Sequence, residues 1–418
     1  MILDVATVRR SARRFRGRSS QDPGRGRGRL TCRPRPLKGV HMLQLEFKRN
    51  AADAVARLRH LYRRQAPDRI FATFQLPHPA LDEFARTHGD GTCGDPDPVA
   101  RVAFWERWLT ARAGVEDDSI PAAYLSEMDQ GLYGGMLGGD VRFMAHPDSG
   151  WISSMVAPLL QDWSEFDNLR IDRSAPWFQR YLTQLDAFAA AAAGRFGVSH
   201  FILIDSLNFV FELVGATNTY VSLLEQPELV RRAIDFAFTL NVLVQDTFFE
   251  RVGLLDGGTA SNMVQWIDGR IVSESVDPFH MTSVDYFETW GREPVERIFA
   301  HYDGGVLHIH GNGRHLLEAV SSLRGLQAIY LGDDRGFPEA FDVLGHLQTR
   351  TGNVPLVVST GWDRFADALR RRTLPGGVLY QVAGARSADD VNRLMESVRA
   401  YRASGERQHV GMQPPNGC

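Results

Sequence analysis

Eight short apolar runs, each followed by a loop and most by an amphipathic helix, predict an α/β chain folded as a (β/α)8 TIM barrel. Three observations carry that expectation. The strand–helix rhythm runs in one stretch from residue 69 to residue 401. The runs between 200 and 383 are mostly continuous in apolar residues, as strands buried on both faces read, instead of alternating. A G-x-G-x-x-G loop after the first run, which a doubly wound dinucleotide fold would carry, is absent.

Taken in order, the expected strands are RIFATFQL (69–76), AAYLSE (122–127), HFILID (200–205), RIVSESV (270–276), GVLHIH (305–310), LQAIYLG (326–332), PLVVST (355–360) and GVLYQVA (377–383). Helical patterns separate them. WFQRYLTQLDAFAAAAAGRF precedes the third run, and RHLLEAVSSL, WDRFADALRRR and SADDVNRLMESVRAY follow later ones. The last opens with Ser387 and Asp390 at a capping spacing. Between the second and third units lies GLYGGMLGGDVRFMAHPDSGWISSMVAPL, glycine-rich and then β-like, expected as a small hairpin layer and lid over one barrel mouth.

The barrel is expected over residues 42–404, with a flexible tail at 405–418. Residues 1–41 carry eleven arginines against Asp4 and Asp22, with no apolar periodicity. Such a segment cannot bury enough surface to order itself, so a disordered tail, or leader sequence read from a start called too early ahead of a natural beginning at Met42, is expected. An Arg-rich transit peptide and a nucleic-acid arm are the alternatives. Over the full chain the balance is ordinary: 44% hydrophobic and 23% charged residues suit a globular core. A net charge of -3 argues against a nucleic-acid or membrane-surface coat. Cys32, Cys93 and Cys418 are too few and scattered for a disulfide framework, so a reducing, cytoplasmic setting is expected. No apolar run reaches the ~18 residues of a membrane span.

Candidate chemistry gathers at strand ends. His308 and His310, two apart on a strand, face the same way near its C-terminal end. If that face is the barrel interior, they lie beneath the mouth where such barrels do their work. Two imidazoles at this spacing suit a Zn²⁺, which in a catalytic site takes three protein ligands and an open position. Asp205, Glu127 or Asp277 is the candidate third ligand. A metal-free active-site role and a purely structural one remain open for the pair. Asp205, Ser206 and Asn208 follow the third run, and Asp277 and His280 the fourth. Glu127 and Asp129, Asp333 and Asp334, Gln75, His78 and Gln381 complete the strand-end polar set. His308, His310, Asp205 and Asp277 are the catalytic candidates, and His308 and His310 the metal candidates. Gln75, His78, Glu127, Ser206, Asn208, His280, Asp333 and Gln381 are candidates for substrate binding.

VDPFHMTSVDYFETWGREPVERIFAHYDGGVLHIHGNG resembles the D-x-x-x-M-x-S-x-x-x-F segment, with its following strand, of the superfamily that joins uroporphyrinogen decarboxylase to the cobamide:thiol methyltransferases. LLEQPELVRRAIDF and GLYGGMLGGDV resemble two further segments, and the likeness spans roughly residues 50–402. It implies a TIM barrel with its site at the C-terminal strand ends. The decarboxylases carry P-x-W-x-M-R-Q-A-G-R near the first strand, where this chain reads IFATFQLPHPALDEF. The zinc methyltransferases use His-x-Cys and a distant Cys, where this chain has His308-x-His310 and LYQVAGARS. The resemblance implies methyl transfer between a corrinoid protein and a thiol or similar nucleophile. The alternatives are decarboxylation of a tetrapyrrole or smaller acid, and a non-catalytic barrel binding a small acid or tetrapyrrole. Zinc, a corrinoid-protein partner, a small-molecule substrate and a homodimer are the associated expectations.

Overall fold

The fold begins from strands whose two faces are both apolar. In the computed structural model, which describes residues 43–403, eight short parallel strands follow one another: β1 (Ile70–Phe74), β2 (Ala122–Tyr124), β3 (Gly197–Ser199), β4 (Val272–Ser275), β5 (Gly305–Ile309), β6 (Leu326–Leu331), β7 (Leu356–Gly361) and β8 (Val378–Ala383). The expected Arg-rich tail and C-terminal tail lie outside the described residues. Six strands form one sheet in the order β1-β8-β7-β6-β5-β4, so the first strand pairs with the last. β2 and β3 form a separate parallel pair. Among the described residues no helix is long and apolar enough to cross a membrane.

The split into six and two strands departs from the eight-strand ladder expected, and side chains explain it. At the free edge of β1, the Ala72 and Phe74 amides donate to the carboxylates of Asp118 and Asp117, both at 2.9 Å, where a neighbouring strand's carbonyls would normally stand. Lys48 and Arg112 pair with Asp117, and Arg57 with Asp118. Against its complete burial, Lys48 and Arg112 hold the Asp117 carboxyl down at about 2. After β3, the Asn241 side chain accepts from Ile204 N and donates to Ile204 O, at 3.1 and 2.8 Å. This clamp takes the ladder's place, so the regular strand lies at 197–199 and not at the expected 200–205. Single backbone bonds still reach across both gaps, from Asp118 N to Ala72 O and from Leu203 N to Ser273 O.

One face of the sheet changes character along its length. Phe71, Val306, Ala328, Val357 and Leu379 form a buried apolar layer near the strand starts. They pack with the helix Ala51–Tyr62 and with an antiparallel hairpin, Gly258–Ser261 and Gln265–Asp268, whose Trp266 is fully buried. That hairpin is absent from the sequence reading. Further along the same face the residues become polar: His308, Tyr330, Ser359 and Gln381. The opposite face, with Leu307, Ile309, Ile329, Val358 and Tyr380, packs among the helices. Burial on both sides is the reason these runs read as continuous.

The insert between β2 and β3 starts as a helix, Asp129–Met136, and continues as the hairpin Arg142–His146 and Trp151–Met155. Thr92–Cys93 adds a third short strand. Gly131 and Gly134 let the helix lie against the hairpin: a Cβ would stand 2.6 Å from Ser154 and 2.2 Å from Val156. The hairpin turn is pinned from below, where Arg101 donates to Gly150 O at 2.9 Å.

Candidate active site at the strand ends

β5 delivers His308 on the polar part of the inner face, in register with Ser275 on β4 and Tyr330 on β6. The strand stops at Ile309, and His310 caps the short 3-10 helix Gly311–Leu316. The two rings end 4.3 Å apart, tilted by 47°. Room for them comes from Gly332 at the end of β6, where a Cβ would lie 2.7 Å from His308 Nε2. Asp277, two residues beyond β4, reaches the same level. One ligand atom from each of Asp277, His308 and His310 lies within 4.8 Å of the others, so of the three carboxylates considered beside the histidine pair it is Asp277 that stands next to it.

Neighbours orient this triad. Asp334 Oδ1 stands 2.9 Å from His310 Nδ1, so Nδ1 donates to the carboxylate and Nε2 is turned toward Asp277 Oδ1, 4.0 Å away. Asp334 is itself held by the Asn312 amide at 3.3 Å. His280 Nδ1 approaches Asp277 Oδ1 at 3.5 Å, and its ring presses on Gly313, where no side chain fits. Burial first, then the charge of His310, brings His308 down to about 4. Burial likewise brings His280 to about 4 although Asp277 pulls it up. Both rings are therefore neutral at pH 7 and offer lone pairs in place of protons.

Asp277 also borders a cavity of about 650 Å³ between the insert and the strand ends. Tyr124, Asp129, His146, Trp151, Asn208 and Ser275 stand among its walls. His146 Nε2 is held by Ser153 Oγ at 2.8 Å. Asn208 spans the gap after β3 by donating to Ser275 O at 2.8 Å.

Several expected site residues do other work. Asp205 does not join the histidines: the charges acting on His308 are His310, Asp277, His280 and Asp334, and Asp205 does not line the cavity. The chain turns at Ser206, held at φ 55°, and seals Asp205 beside Glu274 of β4. All four of their carboxyl oxygens are buried without a hydrogen-bond partner, as is Ser206 Oγ. Burial pushes Asp205 up to about 7; burial, then the neighbouring Asp205, drives Glu274 well up. Glu127 is spent on a fully buried ion pair with Arg101 and a 2.8 Å bond from Gln184. His78 caps the helix Pro79–Thr87: Nδ1 accepts from Ala80 N at 3.1 Å, and Nε2 bonds Trp108 O at 2.7 Å. Asp333 ties Arg314 to the Ala340 amide, so it is Asp334 that reaches the site. Gln381 donates to Met263 O at 3.1 Å, fixing the inner hairpin. Gln75 stands exposed at the end of β1.

The sequence reading missed Glu274 and the wall formed by His146 and Trp151. Glu274 had a signal: an acid flanked by serines inside an otherwise apolar strand points to one face, and the serines to the other. Trp151 had none, because its place depends on how the insert folds back.

No family model matches the sequence, and no curated protein does. Among solved structures, a methyltransferase from Methanosarcina mazei is similar in fold, with a TM-score of 0.54 over 83% of this chain and 98% of that chain, at 13% sequence identity.

Proposed function

We propose that the strands close into a (β/α)8 barrel of the uroporphyrinogen decarboxylase and cobamide:thiol methyltransferase type. Its proposed work is to move a methyl group between a corrinoid carried by a partner protein and a thiol or similar small nucleophile. The observation that carries this reading is the donor set Asp277, His308 and His310 at the ends of parallel strands beside a cavity. Closure is supported by the β1–β8 pairing and by the backbone bonds across both gaps. The fold likeness to the Methanosarcina mazei methyltransferase supports the choice of chemistry.

Two imidazole nitrogens and one carboxylate oxygen fit a zinc ion that keeps a fourth position for substrate. When bound, zinc supplies the Lewis acidity that keeps a thiol ionised near neutral pH. The chain does the rest. Asp334 fixes the His310 tautomer so that Nε2 stays a donor atom. Burial keeps His308 unprotonated. His280 Nδ1, 3.5 Å from Asp277 Oδ1, buttresses that carboxylate. Decarboxylation of a polycarboxylate has less support, since no Arg or Lys stands among the described residues lining the cavity.

The test is metal content and methyl transfer measured on the same full-length preparation. About one equivalent of zinc is expected, falling several-fold in His308→Ala, His310→Ala and Asp277→Ala. Zinc-loaded protein should demethylate methylcobalamin in the presence of a thiol, read from the corrinoid absorbance. Wild-type protein that holds zinc yet gives no transfer to any of a panel of thiols and amines would sink the reading in favour of a binding barrel.

A further inference from the structure

We infer that the cavity under the insert takes an organic cation, a methylated ammonium compound, in preference to an acid. This deepens the methyl-transfer reading, and rests on it only for what becomes of the bound molecule. The cavity's aromatic wall is a corner: the Tyr124 and Trp151 rings meet with centroids 5.0 Å apart at 64°. Trp151 is 39% exposed, so part of the indole stays open to a ligand. Ring faces carry negative potential and attract an alkylammonium, most strongly for Trp.

The polar wall has the same sign. Asp129, Asp148 and Asp277 line the space, and none of the described lining residues is Arg or Lys. No cation acts on Asp129: burial raises it to about 7, and only the Gln130 amide opposes. Behind it Glu212, raised to about 8 by burial and then by Asp129, keeps Oε2 buried without a partner. An incoming carboxylate would find no Arg or Lys to pair with, whereas a cation would supply the counter-charge that lets these acids ionise. The volume, about 650 Å³, is ample for a trimethylammonium head with a short tail.

Calorimetric titration of the full-length chain, freed of bound metal beforehand so that no zinc at Asp277 can draw an acid, tests this with choline, its uncharged isostere 3,3-dimethylbutan-1-ol, and citrate. Choline should bind at least about tenfold more tightly than the isostere, and citrate should not bind. Trp151→Ala and Asp129→Asn should each weaken choline binding by about five- to thirtyfold, and Trp151→Phe by about threefold or less. Far-UV circular dichroism checks that each variant is folded. The inference is overturned if wild-type protein does not bind choline, if the isostere or citrate binds as well, or if folded Asp129→Asn binds choline unchanged. The methylcobalamin–thiol assay contains no cationic ligand, so the two readings fail separately. Choline binding without methyl transfer removes only the transferase reading, and transfer without choline binding removes only this one.

Discussion

Glu274 and Asp277 lie three residues apart at the end of one strand, and the fold treats them in opposite ways. Asp277 is half-open to solvent, faces His280, His308 and His310, and borders a cavity. Glu274 is sealed against Asp205 with no partner for any carboxyl oxygen of the pair. An acid at a strand end is thus not a site by virtue of its position along the chain. Which face it takes and what it meets there decide whether it can serve a ligand or only burden the fold.

Breaking the open cluster should have the largest effect. His308→Ala should lower methyl transfer by about a hundredfold or more while the urea midpoint hardly moves, because the ring is only partly buried. A collapse of stability with only a modest loss of transfer would make His308 a packing residue. Next comes Asp334→Asn, which keeps shape but weakens the hold on His310. Zinc affinity should fall about ten- to a hundredfold, read by competition with a chelator, and no change would detach Asp334 from the site.

The sealed pair responds to pH instead. Asp205 titrates at about 7 in the fold against ~3.9 in the unfolded chain. Between those values the native state holds the extra proton, so this group's contribution to stability falls as pH rises from about 4 to about 7 and is flat above. Glu274 works in the same direction. Asp205→Asn should therefore stabilise the protein by ~1–3 kcal/mol at pH 8, with the gain shrinking toward pH 5, as urea unfolding at the two pH values would show. A loss of stability at pH 8 would mean that the pair has a counter-ion in solution. The smallest effect is expected from Gln75→Ala at the exposed end of β1, within about 0.5 kcal/mol of wild type in the same assay.

The comparison also marks what sequence can carry. His308, His310 and Asp277 were legible because strand parity and strand-end position together place them, and both survive any detail of helix packing. Seven of the eight strands lie where their apolar runs do, since burial on both faces leaves little ambiguity. The third moved because one side chain, Asn241, substitutes for a strand neighbour. Asp205 was misplaced for the same reason, at a turn through Ser206 that no periodicity encodes. Glu127 and His78 looked free because their partners, Arg101 and Trp108, are remote in the spacing rules used to read a strand end. The inner hairpin Gly258–Ser261 and Gln265–Asp268 escaped notice because its strands are four residues each and carry few β-branched residues.

Arg101 gives the insert a mechanical property. It joins the Gly150 carbonyl in the roof to Glu127 beneath it, and Glu127 in turn to Gln184 of the helix Pro176–Ala192. Swinging the roof away about its own turn would break the Arg101–Gly150 hydrogen bond while the Arg101–Glu127 pair stayed intact, at a cost of ~1.5–3 kcal/mol. No more than about one molecule in ten would then stand open at any moment. Small molecules would reach the cavity by threading the rim near Trp151 and Met155, and the width of that gap, more than any hinge, would set how bulky a visitor is admitted.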